Sequence, residues 1–383
     1  MNTNWRTWGW VAPLLRWRDR MLGNPEFQRR SLRLPLVRWI ARRRMRALFD
    51  LCSGFVYSQV LLACTRLGLL QRLAQSPRSA AELADDLELP RDSLDRLLEA
   101  AESLKLVEAR DRGRMGLGPL GAALLGNPSV GMMIEHHSAF YADLSDPLAL
   151  MRGELEDTAL GRFWAYSRSA SPTALKSEDI RDYSKLMAAS QQLIADQVLS
   201  SYSLQTHRRL LDVGGGEGAF AEAAMRAAPQ LEACVFDLPP VCERARARFE
   251  GAGLGARAGT CGGDFLNDPL PAGYDLVSLV RVLHDQDDEE AMALLRSVRA
   301  AIDPGGAILI AEPMLGTRGA EPVGAAYFGF YLMAMGQGRA RSATEIRSML
   351  ERAGFRDVKT HRTAAPLLVR VLSARPGAAA GAS

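Results

Sequence analysis

Cysteine is scarce: Cys52, Cys64, Cys234, Cys242 and Cys261 are the only five, none stands in a CxxC pair, and no secretory leader is recognisable. This excludes a disulfide scaffold and a thiolate zinc site, and it predicts a reduced, cytoplasmic setting with the thiols as small core residues. Long unbroken apolar runs are missing too. Residues 115–134 carry no charge but are interrupted by five Gly and two Pro, and the 17 uncharged residues 322–338 contain four Gly. Neither spans a bilayer convincingly; the second reads as a helix buried against the core or lining a pocket. No GxxxxGK[ST] loop is present, which argues against an ordinary NTPase. No repeat is present. His136 and His137 adjoin, but no third ligand stands at useful spacing, so no metal is expected and the pair reads as one buried and one exposed His.

At 383 residues, 48% apolar and 24% charged, the chain has the composition of a globular protein of two or three domains. Its net charge of +3 hides an asymmetry: residues 1–50 hold 12 Arg and 3 acids, whereas the remainder holds 35 basic and 41 acidic residues. Trp5, Trp8, Trp10, Trp17 and Trp39 fall in the same arm. Trp mixed with Arg suits a lipid headgroup boundary, so residues 1–45 read either as peripheral membrane contact or as an arm folded over the protein or a partner subunit. Nucleic acid is the rival partner, and the Trp density argues against it. A helix from about Leu36 would place Val37, Ile40, Ala41, Met45 and Leu48 on one stripe and Arg38, Arg42 and Arg46 on another, with Trp39 and Arg44 breaking the pattern.

Phe55–Ala74 has helical spacing, Ser79-Ala-Ala-Glu82 is a capping box, a second helix runs from about Asp92 to Leu104, and residues 106–109 and 114–117 flank a turn. This is a winged-helix outline. Its would-be recognition segment, Arg91–Lys105, carries three basic and four acidic residues, the wrong sign for a phosphate-facing helix. After a helical bridge, with residues 167–177 the most loop-like, the period changes. Short apolar runs at 209–213, 232–236, 274–280 and 307–311 alternate with helical segments, predicting a parallel, doubly wound α/β sheet. Residues 355–360 and 367–372 add a terminal antiparallel pair.

Leu211-Asp212-Val213-Gly214-Gly215-Gly216-Glu217-Gly218 places a glycine loop after a strand and before a helix, where backbone amides can approach a ligand. Asp237 follows Gly216 by 21 residues at the end of the next strand, where an acid can bind ribose hydroxyls. Gly214, Gly216 and Ala219 also satisfy the dinucleotide fingerprint. Two features favour S-adenosylmethionine: Glu217 would sit badly beside a pyrophosphate, and Asp264-Phe265 ends the third strand, where Asp can accept from an adenine amino group and Phe can pack on the ring.

These residues, with Phe236-Asp237-Leu238-Pro239, Leu283-His284-Asp285 and Ile310-Ala311-Glu312-Pro313, fall in an order that resembles the caffeate-type and acetylserotonin-type O-methyltransferases over residues 46–372. Within that family the arm and layout look most like the bacterial branch that acts on demethylspheroidene and hydroxyneurosporene in acyclic carotenoid synthesis. The resemblance implies a Rossmann-like methyltransferase sheet preceded by a mostly helical winged-helix dimerisation domain, and a homodimer. The chain is accordingly read as a basic arm (1–45), a dimerisation domain (46–125), a helical bridge and acceptor-pocket region (126–200), a catalytic domain (201–375) and a disordered tail (376–383). The implied cofactor residues are Asp212, Gly214, Gly216, Asp237, Leu238, Asp264, Phe265 and Arg281, the last standing in for a Lys that plant members carry at the position of Val280.

His284 matches the family's general base and Glu312 the acid that orients it; imidazole titrates near neutrality, as a base requires. The chain departs from the family in having Gln286 where a Trp often stacks on adenine, and Ala340 where plant members carry a second acid. Glu345 reads as part of a Ser342 capping box, and Asp285 as a cap of the following helix. Met132, Met133, Phe140, Tyr141, Tyr327, Phe328, Phe330, Tyr331, Met333 and Met335 are candidates for an apolar acceptor tunnel. The expected activity is methylation of a lipophilic hydroxyl, a 1-hydroxy acyclic carotenoid, at the inner face of the cytoplasmic or photosynthetic membrane, with a phenolic or polyketide acceptor as the alternative. An NAD-dependent oxidoreductase and a winged-helix ligand sensor are the readings from other classes.

Overall fold

Pro25 and Pro35 each open a helix, because a preset φ and a missing N–H cost nothing in the first turn. The first opens Pro25–Arg33 behind Asn24, whose side chain accepts from the amides of Glu26 and Phe27; the second opens the 32-residue helix Pro35–Arg66. The structure is a computed structural model describing residues 11–164 and 181–377; Trp5, Trp8 and Trp10, the loop expected at 167–177 and residues 378–383 of the expected tail lie outside it. Two units divide between residues 126 and 127.

In the first unit, the arm and the expected dimerisation domain are not separated by a linker: position 45/46 falls inside Pro35–Arg66. Leu36, Trp39, Leu48, Phe49, Leu51 and Phe55 are exposed on this helix, and only Leu62 and Cys64 are buried. It contains an 18-residue window of mean hydropathy 1.5 and is, by length and composition, apolar enough to cross a membrane, which the sequence reading did not credit to any segment. Beyond it, the Ser79–Glu82 capping box opens Ala80–Leu87, and Arg91–Ser103 follows. Strands β1 (Arg78–Ser79), β2 (Val107–Arg110) and β3 (Arg114–Leu117) form a sheet of order β1-β3-β2. Leu69, Leu83, Leu94, Leu98 and Val107 fill the core beneath, each contributing about 1.5–3 kcal/mol by leaving water. The thiols are not uniformly core: Cys64 and Cys242 are buried, Cys52 is exposed, and Cys234 and Cys261 are half-buried.

In the second unit, β4 (Arg209–Val213), β5 (Glu232–Asp237), β6 (Ala258–Gly262), β7 (Tyr274–Val280), β8 (Ile302–Glu312), β9 (Phe355–His361) and β10 (Arg370–Pro376) form one sheet of order β6-β5-β4-β7-β8-β10-β9. Strands β4 to β8 pair in parallel, and β10 is antiparallel to both β8 and β9. Leu210 and Phe220, with Ala224, Met225 and Phe249, pack on one face; Leu211 and Val213, with Leu295, Val298 and Ile346, pack on the other. Helices on both faces make the sheet doubly wound, as the alternation predicts. Three strands differ from expectation. The third strand expected before Asp264-Phe265 is the edge strand β6, Ala-Gly-Thr-Cys-Gly, which has no apolar run and ends at Gly262, short of that pair. β8 begins five residues early, and β10 starts at Arg370 rather than Leu367, so Pro376 ends a strand instead of opening a tail. The order turns at β4, with β5 on one side and β7 on the other, and ligands bind beyond the carboxyl ends of strands at such a point.

Candidate active site

The loop after β4 turns on glycines in the left-handed region, with φ of 65° at Gly214 and 58° at Gly216, where a side chain would be strained. A Cβ on Gly215 would lie 2.6 Å from Asp212 Oδ2, so the loop can close over that carboxylate only as glycine. Asp212 is 1% exposed, and its Oδ1 accepts from Ser278 Oγ at 2.5 Å. Burial pushes its carboxyl up to about 7. Asp237 ties the loop to β5: its Oδ2 accepts from Gly216 N (2.8 Å) and its Oδ1 from Leu238 N (2.7 Å), and desolvation pushes it up to about 6.

A pocket opens in front of this loop, lined by Trp164, Gln191, residues 214–217, Ala219, Val280, Arg281, His284 and Asp285. It gathers Gly214, Gly216, Arg281 and His284 from the expected set. Asp212 lies beneath the loop, Asp237 and Leu238 beside it, and Glu312 behind His284. Arg281 itself sits at φ 60° while its amide donates to Ala311 O. Asp264 accepts from Leu266 N (3.0 Å) and Asn267 Nδ2 (2.7 Å), which shapes its own turn, and Phe265 packs on the core within reach of Gly214.

The pocket fits S-adenosylmethionine. Gln191 Oε1, in the lining, and Asp212 Oδ2, under the loop, are buried without a hydrogen-bond partner, and the Asp285 carboxylate stands in the wall, acceptors that suit a ligand with a sulfonium and an ammonium. Glu217 is paired with Arg244 (3.3 Å) and Arg248 (3.8 Å) rather than left as a bare charge at the helix start, so it would repel a pyrophosphate less than its sequence position implies.

His284 sits on a 3₁₀ turn, Leu283–Asp285, just past β7. Glu312, the last residue of β8, accepts from the amides of Val282 (2.9 Å) and Leu283 (2.8 Å) through Oε1 and meets His284 Nδ1 at 2.5 Å through Oε2. His284 and Glu312 are 5% and 2% exposed. Asp285 does not cap the next helix. That cap is Asp287, in a reciprocal box with Glu290, while Asp285 Oδ1 lies 3.2 Å from His284 Nε2. Burial alone would pull the imidazole down, but the carboxylates of Asp285 and Glu312 outweigh it and hold its pKa above the ordinary histidine value. Phe328 meets the imidazole edge to face at 5.6 Å.

The turn is clamped from the far side. Arg341, 2% exposed, donates to Leu283 O (2.6 Å), Gln286 O (2.8 Å) and Asp288 (2.8 Å). A Cβ on Gly338, at φ 81°, would lie 2.3 Å from His284 O. Ala340 is buried between these contacts, and Glu345 completes the Ser342 capping box while pairing with Arg339.

Of the expected acceptor wall, Phe140, Tyr331 and Met335 are buried in a cluster with Trp164, and Tyr327, Phe328 and Phe330 pack against it; Met132 and Met333 are exposed. His136 and His137 are both withdrawn from water, the second only half-buried, and each bonds a tyrosine hydroxyl: Tyr331 at 2.7 Å and Tyr327 at 2.8 Å. Trp164, Gln191 and Arg341 are site residues that sequence reasoning missed.

The model of the O-methyltransferase domain family matches residues 141–356, and that of the O-methyltransferase dimerisation domain matches residues 49–127. The chain is 41% identical over 355 residues to a demethylspheroidene O-methyltransferase of Cereibacter sphaeroides, covering 93% of each chain. It is 42% identical to the protein of that name from Rhodobacter capsulatus, over 90% of this chain and 86% of that one. Among solved structures it resembles human N-acetylserotonin methyltransferase in complex with S-adenosylmethionine, with a TM-score of 0.70 at 26% identity, covering 87% of this chain and 98% of that one.

Proposed function

Because the chain belongs to the S-adenosylmethionine-dependent O-methyltransferase family, we propose that it converts the hydroxyl of a 1-hydroxy acyclic carotenoid of the demethylspheroidene type into its methyl ether, at the site formed by His284, Glu312 and the pocket after β4. The observation that carries this reading is the buried His284–Glu312 pair, which opens onto the glycine-loop pocket on one side and onto the aromatic cluster of Phe328, Tyr327 and Tyr331 on the other. The names of the two bacterial relatives supply the acceptor class.

S-adenosylmethionine, when bound, supplies an electrophilic methyl carbon. Asp237 and the glycine-loop amides would hold its nucleoside, with Asp264, Phe265 and Leu238 at the adenine end. The protein's task is to hold the acceptor oxygen in line and to take its proton. Glu312 accepts Nδ1–H, fixes the tautomer and leaves Nε2 as the proton acceptor. A tertiary alcohol is far too weak an acid to lose its proton to imidazole beforehand. The proton therefore passes to Nε2 as the C–O bond forms, and the resulting imidazolium is countered by Glu312 on one edge and Asp285 on the other.

Residues 49–127 carry the family's dimerisation domain, and the proposed working form is a homodimer. The acceptor dissolves in lipid, so the enzyme has to collect it at a bilayer surface. Residues 11–48, which precede the matched dimerisation region, expose Leu14, Trp17, Leu36, Trp39 and Leu48 among arginines and are the proposed contact, from the cytoplasmic side. Loss of cosedimentation with anionic liposomes on removing residues 1–45 is the expected result; unchanged cosedimentation sinks the membrane contact and leaves the arm to the partner subunit.

Mass spectrometry of a 1-hydroxy carotenoid in liposomes tests the reaction, with phenolic acceptors in parallel and His284→Ala as control. A gain of one methyl on the carotenoid, abolished in the variant, is expected. Methylation of phenols alone overturns the acceptor, and calorimetric binding of NAD in preference to S-adenosylhomocysteine overturns the donor.

A further inference from the structure

Trp164 forms part of the wall of the donor pocket together with the glycine loop, although it is contributed by neither the sheet nor the loops at its edge. It follows the five-residue helix Ala159–Phe163, whose N-terminal end is held twice: Asp143 accepts the amides of Ala159 (2.7 Å) and Leu160 (2.8 Å), and the capping residue Thr158 donates through Oγ1 to Ala334 O at 2.6 Å. What fixes the ring itself is a directed chain of hydrogen bonds. An indole can only donate, and Trp164 Nε1 donates to the Tyr331 oxygen at 2.9 Å. The Tyr331 hydroxyl is in turn 2.7 Å from His136 Nε2.

The direction of the second bond follows from the state of the imidazole. Burial, and then the neighbouring His137, push His136 down to about 4, so the ring is neutral near pH 7. Its Nε2 can then accept the tyrosine proton. Tyr331, 5% exposed and stacked on Tyr327 with ring centroids 5.7 Å apart, thus has its hydroxyl hydrogen committed to His136 and a lone pair left for the indole. The indole bond cannot be reversed, because an indole has no acceptor, and an Nε2–H on His136 would take this acceptor away from the buried Tyr331 hydroxyl hydrogen, which is costly. The ring of Tyr331 also meets Trp164 edge to face at 6.2 Å.

We propose that Tyr331 is a positioning residue for the methyl donor: through the chain Trp164 Nε1–H to Tyr331 O–H to His136 Nε2, it locks the indole of Trp164 as a wall of the donor pocket. This rests on the proposed reading of that pocket as the donor site. Tyr331 lies on Phe328–Met335, the helix whose first residue packs on His284. The segment that borders the base and the acceptor therefore also sets the shape of the donor pocket.

The test is calorimetric titration with S-adenosylhomocysteine, joined to the fluorine NMR spectrum of protein labelled with 5-fluorotryptophan, in which the Trp164 resonance is identified by its loss in Trp164→Phe. Binding by the unsubstituted protein is the control for the donor site, so failure there overturns the pocket reading and not the chain alone. Tyr331→Phe keeps the ring and removes the oxygen. It is expected to weaken S-adenosylhomocysteine about three- to tenfold, the loss of one neutral hydrogen bond, to raise KM for the donor more than it lowers kcat, and to move or broaden the Trp164 resonance. His136→Gln retains an acceptor and is expected to bind within about twofold of the unsubstituted protein, whereas His136→Leu, which has none, is expected to behave like Tyr331→Phe. Unchanged affinity and an unmoved Trp164 resonance in Tyr331→Phe overturn the proposal, and so does equal weakening by His136→Gln and His136→Leu, which would reduce the chain to packing.

Discussion

Glu312 bonds His284 twice over: one carboxylate oxygen receives the imidazole, and the other receives two amides of the turn that carries it. The side chain of His284 and the backbone that leads into it are thereby referred to a single group at the end of β8. An acid that only oriented the ring would leave the turn free to shift; here both move together or not at all.

Glu312→Gln should therefore preserve the turn and damage the chemistry. A glutamine oxygen can still accept the two amides, but its NH₂ would then face Nδ1 and force the opposite tautomer, placing a proton on Nε2. A fall in kcat of about 10²–10⁴-fold is expected with little change in S-adenosylhomocysteine affinity by calorimetry. Near-normal turnover would mean that Glu312 is only a strut.

The pH profile follows from the carboxylates that bracket the imidazole. With its pKa held above the ordinary value, His284 must be free of its proton to act as a base, so kcat/KM should rise with pH on the acid side, along a limb lying above that of an unperturbed histidine. Removing one negative charge with Asp285→Asn should move that acid limb to lower pH. The same shift acts on stability: the imidazolium is fully stabilising below the unfolded pKa, and its contribution fades as pH rises through the higher folded value. A limb that stays in place, or moves upward, in Asp285→Asn would refute the coupling.

Asp212 changes stability with pH in the same direction, through burial rather than ion pairing. Its carboxyl titrates near 4 in an unfolded chain and at about 7 in the fold, through burial. Between those values the unfolded chain releases a proton that the folded one retains, so stability falls as pH rises across the window. Asp212→Asn is neutral throughout and can still accept from Ser278 Oγ. Urea unfolding between pH 4 and 8 should show a shallower decline in the variant, with the remaining slope shared between Asp237, which is pushed up to about 6, and His284, which is held above the ordinary histidine value. Parallel curves would show that Asp212 is ionised in the fold.

Arg341→Met is expected to be costly without touching the pocket. The buried guanidinium satisfies the carbonyls of Leu283 and Gln286, and leaving two buried acceptors unpaired costs about 2–4 kcal/mol, or a fall in Tm of about 5–15 °C. Because those carbonyls flank His284, kcat should fall as well. A variant with unchanged Tm and kcat would show the clamp to be redundant.

The parts of this site that could be read from the sequence are those fixed by strand ends. Gly214, Asp237, His284 and Glu312 each follow a short apolar run that could only be a buried strand, so their meeting at one edge of the sheet was a matter of topology. Trp164 and Gln191 come from the helical bridge, where spacing shows a face but not what the face meets. Arg341 was missed for a different reason: its partners include backbone carbonyls 55 and 58 residues earlier, and such contacts leave no side-chain pattern. Asp285 was misread because Asp287, two residues on, is the better cap. The length of Pro35–Arg66 was obscured by the change from Arg-rich to apolar composition partway along a single helix.

Strand β10 lies between β8 and β9, although it follows both in the chain. On the ribosome, β9 therefore emerges with no neighbour to pair with, and β8 presents an open edge until residue 376 has cleared the exit tunnel. For that interval an eleven-residue strand with a mostly buried sequence is available to any other chain with a free edge. Premature termination between Glu312 and Arg370 would make that interval permanent, so such nonsense products are expected to aggregate or to be degraded rather than to accumulate as partly active enzyme.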